Sequence, residues 1–448
     1  MRPLRLAPDD TIVAISTPPG IGGLAVIRLS GPQAKAVIQP YFDAFHRLTP
    51  RTAVYGHLKH ADLSGETFDD CVATYFPGPN SYTGEDILEL SIHGGAYLQE
   101  RLLAVLSGIS GVRLADPGEF TLRAFLAGRL DLTQAEAVAD LIHARDSAAH
   151  RSARHQLHGE LDGLLQGFKA VLVQVLTQIE AELDFSDQEI DFTPLETHTP
   201  TLTDLQARVQ QLLNTYFYGK RVVEGFRVPL VGPPNAGKST LFNALLGHSR
   251  AIVNPEPGTT RDTIETTMVL DDHSVVLVDT AGLRDTENLI EQDGVDRSLE
   301  ELQRADLVIA VDSPDTAPTR VELPVDTPLL RVFTKSDIAP KDPDPASLTV
   351  SGKTGIGLAE LKQQIARHLD GLRRTSSSVI ITNQRHVNVL EAFAGRVEAV
   401  LVAIQDQRGP EYVAADLHQA LQVLGEITGE TTPDEILGNI FNNFCIGK

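Results

Sequence analysis

The segment GPPNAGKS, residues 232–239, has the spacing G-x-x-x-x-G-K-[ST] of a phosphate-binding loop. In such a loop the glycines let backbone N–H groups surround the phosphates, Lys238 reaches the β and γ oxygens, and Ser239 ligates Mg²⁺. The predicted nucleotide contacts of this segment are Asn235, Ala236, Gly237, Lys238, Ser239 and Thr240. Because an isolated match can arise by chance, later segments of the chain have to support it.

Two switch-like segments follow in the order that nucleotide chemistry requires. The first is GTTRD, residues 258–262, in which Thr260 can reach Mg²⁺. The second is the apolar run VVLV, which ends in Asp279 and leads to Gly282, whose N–H can bind the γ-phosphate. The predicted nucleotide contacts of these segments are Thr259, Thr260, Asp279, Thr280, Ala281 and Gly282. Together with the phosphate-binding loop, they predict a nucleoside triphosphate site.

A third group of residues predicts which base is bound. Lys335 and Asp337 follow the strand-like run LLRVF, and the aspartate can accept hydrogen bonds from guanine N1 and N2, which favours GTP over ATP. Further along, Ser351, Gly352 and Lys353 can brace the base through backbone N–H groups. Thr334 stands where this motif usually begins with asparagine. We expect the loss of that amide to remove contacts with the base and the phosphate-binding loop and to weaken guanine affinity.

The residue that orients the attacking water is not evident from these motifs. Ras-like GTPases carry a glutamine directly after the DxxG glycine, and here that position is Leu283, which cannot orient water. Asn235 places an amide oxygen inside the phosphate-binding loop, where it can help to hold a monovalent cation. Such a cation could replace an arginine finger, which supplies on the order of 10³ to 10⁵ in rate.

Three kinds of hydrophobic pattern along the chain predict a multidomain α/β protein. Residues 1–118 carry the strand-like runs TIVAIST, GLAVIRLSG and DILELSIHGG, separated by turn residues. Residues 119–220 and 373–448 are helical in pattern, and residues 221–372 alternate strands with helices as in a doubly wound, mostly parallel sheet. We therefore expect an α/β domain inserted between two halves of one helical domain.

Hydrophobic periodicity predicts the helices of the interrupted domain. One stripe comprises Leu157, Leu161, Leu164, Phe168, Val171, Val175, Ile179 and Leu183, and another comprises Val387, Leu390, Phe393, Val397, Val400, Leu401 and Ile404. Thr432 and Pro433 are expected to be the N-cap and first residue of a last helix. Within the inserted domain, Pro229 lies in the run FRVPLVG, although proline cannot donate to a central ladder.

Composition restricts the classes of protein and partner. The 448 residues are 42% hydrophobic, and the two cysteines, Cys71 and Cys445, are too far apart in sequence to suggest a disulfide framework, which favours a reducing compartment. Neither a secretory h-region nor a run of 18 apolar residues occurs, so we expect a cytoplasmic protein without membrane association. The net charge of −22 opposes general adhesion to nucleic acid, and an RNA partner would need a local basic patch.

The last residues, FNNFCIGK, place a thiol four positions from the end. Cys445 is either a small apolar residue at the end of a docked helix or a catalytic group that the tail carries into a site. The apolar stripe of Ile436, Ile440, Phe441 and Phe444 can dock the helix while Cys445 and Lys448 project beyond it.

The segments GPPNAGKST, PGTTRD, DTAGLR, GLAVIRLSG, SYTGED and the terminal CIGK together resemble the MnmE (TrmE) family of tRNA modification GTPases over essentially the whole chain. The resemblance implies a β-rich, tetrahydrofolate-binding-like dimerisation domain at 1–118. It also implies a discontinuous helical domain at 119–220 and 373–448, and an inserted P-loop G domain at 221–372.

The resemblance also implies a mechanism. Family members are Mg²⁺- and K⁺-dependent GTPases that are activated when their G domains dimerise. Potassium would be bound by Asn235, Asn254, Glu256 and Thr259, of which Asn235, Asn254 and Thr259 also belong to the predicted nucleotide site. Glu291 would orient the attacking water. The folate contacts would be Arg28, Glu89, Arg129 and Lys448, with Arg129 at a position where the family often has lysine. Without the resemblance, Glu291 would be interpreted as a solvated helix charge.

The implied reaction is the addition of an aminomethyl or carboxymethylaminomethyl group to C5 of the wobble uridine of certain tRNAs. The carbon would come from 5-formyl- or methylene-tetrahydrofolate, and the homodimer would work with an FAD-containing, MnmG-type partner in a heterotetramer or larger complex. A tRNA surface could include Arg145, Arg151, Arg154, His155 and His158, although a solvated helix face explains them equally well. Two alternatives are a dimerising GTPase switch in ribosome assembly and a structural scaffold whose GTPase is vestigial.

Overall fold

A computed structural model describes residues 10–59, 66–184, 193–247, 264–279, 301–324, 327–338, 347–372, 379–442 and 444–448. The chain forms two compact units. The first contains Met1–Ala139, Gln156–Lys169 and His418–Lys448, and the second contains Asp140–His155 and Ala170–Leu417. Each unit has its own mixed sheet, which confirms the expected multidomain α/β class. The finer domain limits stay a prediction.

The first unit is built on a six-stranded sheet with the order β3-β4-β5-β2-β1-β6. Its strands are β1 Thr11–Ile15, β2 Gly22–Ser30, β3 Ala53–Lys59, β4 Thr67–Phe76, β5 Ile87–Gly94 and β6 Val112–Leu114. Every pairing is antiparallel except that of β1 with β6. Alternating burial along β2 and β5 gives the sheet one buried face, as the apolar alternation of these runs predicts.

Helix α1, Ala96–Ser107, packs against the buried face of this sheet, and further helices follow along the chain. The other helices of the first half are α2 Glu119–Leu126, α3 Leu132–His143, α4 Ser147–Leu157 and α5 Glu160–Asp184. After the second sheet come α11 Pro410–Thr428 and α12 Asp434–Asn442. Helices α3, α4, α5 and α11 contribute residues to both units. Helix α11 lies in the range 373–448 that was expected to be helical, although no apolar stripe was assigned to it.

The second unit contains a sheet with the order β12-β11-β10-β7-β9-β8. Its strands are β7 Phe226–Val231, β8 Ile264–Leu270, β9 His273–Asp279, β10 Val308–Asp312, β11 Leu329–Phe333 and β12 Leu348–Thr349. All pairings are parallel except that of the edge strand β8 with β9. The remaining helices are α6 Thr199–Leu213, α7 Tyr216–Glu224, α8 Lys238–Gly247, α9 Leu358–Gly371 and α10 Gln384–Gln405. Short 3₁₀ turns lie at Ala36–Ile38, Phe45–Arg47 and Leu195–His198.

Pro229 is part of β7, and the pairing explains how it is accommodated. Along β7 the ladder with β9 runs from Phe226 to Leu230, whereas the ladder with β10 begins only at Leu230. The Arg227 N–H points to the β10 side, where it donates to the Asp306 carboxylate at 2.9 Å. Because N–H directions alternate along a strand, the Pro229 nitrogen faces that same side before its ladder starts. The regular ladder between β7 and β10 therefore begins beyond Pro229, where no proline N–H is required.

Two helix predictions need correction. The stripe that starts at Leu157 is not one helix, because α4 ends there and α5 begins at Glu160, after Gly159 with a φ of 79°. The last helix begins at Asp434, and the Pro433 carbonyl accepts its first i+4 hydrogen bond, from the Leu437 N–H at 3.3 Å, so Pro433 is the N-cap residue instead of the first helical residue. The Thr432 hydroxyl donates to the Glu426 carbonyl at 2.9 Å. Among the described helices, none is both long and apolar enough to span a membrane.

Candidate functional site

The phosphate-binding loop connects β7 to α8 at the carboxyl edge of the parallel strands, where open α/β sheets bind ligands. Gly232 passes so close to β10 that a Cβ atom would lie 2.3 Å from the Val311 carbonyl oxygen. Asn235 and Gly237 adopt positive φ angles of 62° and 92°, which turn the backbone around the loop. Asn235 is exposed at this turn. The loop therefore has the curvature that a phosphate cradle requires.

The two predicted phosphate and metal ligands of this loop are already oriented. Lys238 is buried, and its ammonium donates to the carbonyl oxygens of Gly232 and Pro233, each at 2.9 Å. The Ser239 hydroxyl donates to the Asp279 carboxylate at 3.0 Å. Asp279 is buried at the end of β9. The structure thus brings together residues 40 positions apart that the sequence assigned to one nucleotide site.

Thr334, at the end of a nearby strand, hydrogen-bonds the phosphate-binding loop. It follows β11, is 3% exposed, and its hydroxyl donates to the carbonyl of Ala236, with a second contact to the Asp312 carbonyl at 3.1 Å. Its Oγ1 would lie 3.1 Å from a Cβ placed on Gly237. The expectation that threonine loses contact with the phosphate-binding loop is therefore wrong, because the hydroxyl supplies that contact in place of an amide.

The base-reading residues are held by a hydrogen bond that sequence reasoning missed. The Ser351 hydroxyl, fully buried after β12, donates to the Asp337 carboxylate at 2.8 Å and holds the pKa of that carboxyl below its usual range. Ser351 was expected to offer its backbone N–H to the base, but that N–H donates to the Ile356 carbonyl at 2.9 Å. Gly352 lies so close to α8 that a Cβ atom there would be 3.0 Å from the Thr240 Cγ2. Ser351 therefore orients Asp337.

Lys335 has a φ of 60° and its ammonium lies 3.1 Å from the Asp315 carboxylate. Lys353 lies near enough to Asp337 to contribute to the lowering of that pKa. The remaining predicted residues of the nucleotide, metal and water-orienting sites lie outside the described residues: Asn254, Glu256, Thr259, Thr260, Thr280, Ala281, Gly282 and Glu291.

A second cluster of predicted residues lies in the first unit. Arg28 of β2 and Glu89 of β5 are directly opposite each other in the antiparallel register, and their side chains form an ion pair at 2.8 Å. Both are largely buried, with 17% and 28% of the side chains exposed. The Arg28 guanidinium also lies 5.8 Å from the centre of the Phe120 ring. Cross-strand pairing therefore brings together two of the predicted folate contacts.

Charged side chains fix the SYTGED segment next to this cluster. Arg123 of α2 is buried and donates to Asp10 at 2.6 Å, to Glu85 at 3.0 Å and to Glu119 at 3.0 Å. Burial raises the pKa of Tyr82, while the Arg28 charge acts in the opposite direction. The Arg28 guanidinium is therefore close enough to Tyr82 to influence its ionisation.

The terminal residues lie at the same cluster. The Gly447 carbonyl accepts from the Ser16 hydroxyl at 3.1 Å and from the Arg28 guanidinium at 3.4 Å. Lys448 is half-buried, and its pKa is lowered by burial and by the Arg28 charge. The Cys445 thiol is exposed and free. Arg28, Glu89 and Lys448, three of the residues predicted to bind folate, thus lie in one cluster.

Arg129, the remaining predicted folate contact, is exposed, and its stem passes 3.9 Å from the Cβ position of Gly84. Its side chain makes none of the hydrogen bonds or ion pairs found among the described residues of this unit. The structure does not join it to the cluster at Arg28.

Comparison with known proteins places these two sites in one family. Residues 132–445 match the model of the MnmE helical domain, and residues 11–129 match the model of the GTP-binding protein TrmE N-terminus. The chain belongs to the MnmE family of tRNA modification GTPases. The resemblance stated from the sequence motifs is therefore confirmed, and so is the expectation of a GTP hydrolase of the tRNA modification class.

Individual relatives agree over nearly the whole chain. The tRNA modification GTPase MnmE of Dichelobacter nodosus is 41% identical over 454 residues, covering 98% of this chain and 99% of the relative. The protein of the same name from Bordetella avium is 42% identical over 450 residues, with the same coverage. A crystal structure of the G domain of the T. maritima FeoB iron transporter is 25% identical with a TM-score of 0.24, covering 32% of this chain and 98% of that one.

Proposed function

We propose that this chain is a K⁺-dependent GTPase, activated by dimerisation of its G domains, that modifies C5 of the wobble uridine of certain tRNAs with a folate-borne one-carbon unit. The relatives are named tRNA modification GTPases, and family membership implies GTP binding. The observation that carries the proposal is the presence, in one chain, of an organised phosphate-binding loop and of a docked C-terminal tail beside the Arg28–Glu89 pair.

The nucleotide site supports GTP with Mg²⁺. A serine hydroxyl and a carboxylate, from Ser239 and Asp279, lie 3.0 Å apart, and hard oxygen ligands of this kind suit Mg²⁺. Phosphates entering the loop would draw the Lys238 ammonium away from the loop carbonyls, because a charge-assisted bond to an anion is stronger than one to a neutral carbonyl. Asp337, which the Ser351 hydroxyl orients and whose pKa that hydrogen bond lowers, supports guanine as the base.

The potassium proposal rests on Asn235. Its side chain is exposed at the turn of the loop, where an amide oxygen can face a cation that also contacts the nucleotide phosphates. GTP turnover is then expected to be faster in K⁺ than in Na⁺ at equal ionic strength, and Asn235→Ala is expected to remove the difference. Equal rates of the wild type in both salts would contradict a potassium site. The roles of Asn254, Glu256, Thr259 and Glu291 stay predictions from the family.

The folate proposal rests on the chemistry of the second cluster. A carboxylate such as Glu89 can accept two N–H bonds from the edge of a pterin ring, and the cations Arg28 and Lys448 can meet the carboxylates of its glutamate tail. The Phe120 ring adds an aromatic surface near Arg28. Cys445, exposed on the docked tail, supplies a thiol for nucleophilic or acid–base work on the uridine. Tetrahydrofolate derivatives, in the 5-formyl or methylene form, are the cofactors that fit this set.

We further propose a cytoplasmic homodimer that works on tRNA with an FAD-containing, MnmG-type partner in a heterotetramer or larger complex. Exposed apolar side chains of the first unit, Ile21, Leu24 and Tyr97, with 91%, 67% and 67% exposure, offer contact area for a second copy. Gel filtration with light scattering tests the dimer, and a mass corresponding to one chain at micromolar concentration would contradict it.

Binding of 5-formyltetrahydrofolate tests the folate proposal most directly. Calorimetric titration of the purified protein is expected to show saturable binding that Arg28→Ala weakens at least about tenfold, since a charged hydrogen-bond partner contributes roughly 1.5–3 kcal/mol. Arg101→Ala is the matched control, because Arg101 is an exposed arginine on α1 of the same unit. Equal affinity of the wild type and both variants, or no binding by the wild type, would contradict the proposal.

A further inference from the structure

The terminal dipeptide is seated on the first strand by a contact that excludes every side chain at residue 447. A Cβ atom on Gly447 would lie 2.3 Å from the Ile15 carbonyl oxygen and 3.0 Å from the Ser16 Cα. Gly447 also has a φ of 92°, in a region that residues with side chains rarely adopt. Both the space and the backbone conformation therefore require glycine.

Hydrogen bonds hold this contact from two sides. Ser16, the residue after β1, donates its hydroxyl to the Gly447 carbonyl at 3.1 Å. Arg28 donates to the same oxygen at 3.4 Å while its Nε donates to Glu89 at 2.9 Å. The carbonyl of Gly447 thus joins the tail to the ion pair that forms the proposed folate site.

The tail is also fixed upstream of the thiol. Gly118 has a φ of 68°, and a Cβ atom there would lie 2.6 Å from the Phe441 carbonyl oxygen. Phe441 and Phe444 are 1% and 7% exposed in a cluster with Leu122 and Leu132. Cys445 and Ile446 therefore lie between two fixed points, and both are exposed.

We propose that Gly447 and Ser16 are positioning residues that seat the tail, so that Cys445 and Lys448 are held at the Arg28–Glu89 pair. We call the contacts of Gly447 with Ile15, Ser16 and Arg28 the seat of the tail. That the seat exists is inferred from these contacts alone, whereas its role in tRNA modification rests on the proposed function. A tail without this seat would still be anchored at Phe444, but its last residues would be free to leave the cluster.

Release of Lys448 by carboxypeptidase B tests the seat without any folate or tRNA. The enzyme needs an extended, accessible terminus, and Lys448 is half-buried when docked. Gly447→Ala is expected to accelerate lysine release about tenfold or more, because forcing a side chain into a left-handed backbone conformation costs on the order of a factor of ten in the docking equilibrium. Ser16→Ala is expected to accelerate it by a smaller factor.

Ile446→Ala is the matched control, since Ile446 is the neighbouring residue and is 62% exposed. It is expected to release lysine at the wild-type rate. A free peptide with each terminal sequence measures how the change at residue 446 alters cleavage itself, and the protein rates are divided by the peptide rates. Unchanged release from both Gly447→Ala and Ser16→Ala would overturn the seat, whatever the chain does with folate. Far-ultraviolet circular dichroism verifies that each variant is folded.

The positioning role is tested by measuring wobble uridine modification in cells that lack their own MnmE-family protein and express the same variants. We expect Gly447→Ala to lose modification and Ile446→Ala to retain it. Faster lysine release with normal modification would overturn the positioning role. Failure of the wild type to support modification would count against the proposed function, while lysine release would still decide whether the seat exists.

Discussion

Replacement of Thr334 by valine removes the single hydroxyl that hydrogen-bonds the phosphate-binding loop. The hydroxyl is buried and donates to the Ala236 carbonyl, which belongs to a fully buried residue of the loop. Valine fills the same volume but leaves that acceptor without this donor, at a cost of about 1–3 kcal/mol. Because the loop must be ordered to bind phosphates, we expect the cost to reduce nucleotide affinity by roughly 5- to 150-fold.

Equilibrium titration with a fluorescent GDP analogue measures this effect. Thr334→Ser is the matched control, because it keeps the hydroxyl and removes only a methyl group, and we expect its affinity to stay within about threefold of the wild type. Thermal unfolding of both variants separates loss of the loop from loss of the fold. A valine variant that binds GDP within about twofold of the wild type would refute the role assigned to this hydrogen bond.

Three further predictions follow from single residues. Ser351→Ala removes the donor that orients Asp337 and is expected to weaken GTP and GDP binding alike, by about fivefold; unchanged affinity in a nucleotide titration would contradict it. At pH 8 a thiol reagent is expected to modify one group per chain, Cys445, because burial raises the pKa of Cys71 to about 12 and keeps it protonated; two fast-reacting thiols would contradict this. Gly395→Ala, within α10 and with nothing within 4 Å of a Cβ, is expected to stabilise the protein by about 0.5–1 kcal/mol in urea unfolding. A lower unfolding midpoint for that variant would contradict this prediction.

Features that depend on neighbouring residues could be predicted from the sequence. The phosphate-binding loop is a run of consecutive residues, so its glycines, Lys238 and Ser239 identify it without knowledge of the fold. Strands β1, β2 and β5 were likewise evident from their apolar runs and turn residues. In the same way, the stripe from Val387 to Ile404 predicted α10, whose buried residues follow it.

Features that depend on residues far apart in sequence could not be predicted from the sequence. The contact of Thr334 with Ala236 spans 98 positions, and that of Ser16 with Gly447 spans 431. Such contacts depend on sheet order and register, which no local pattern contains.

The break of the Leu157 stripe has a similar cause. Apolar periodicity continues through residues 157–183, but Gly159 adopts a positive φ and separates α4 from α5. Within α5, Leu165 and Leu172 are buried at 1% and 0% exposure, although the predicted stripe passed through their neighbours. Packing against several elements widens the buried face beyond a single row of side chains.

The central claim, that tRNA modification by this chain requires both its GTP site and the thiol of its C-terminal tail, is tested most directly by complementation. Nucleosides from cells that lack their own MnmE-family protein are analysed by mass spectrometry after expression of the wild type, Lys238→Ala or Cys445→Ser. We predict that the wild type restores the C5 modification of wobble uridine and that neither variant does. Restoration by Lys238→Ala or by Cys445→Ser, or none by the wild type, would contradict the claim.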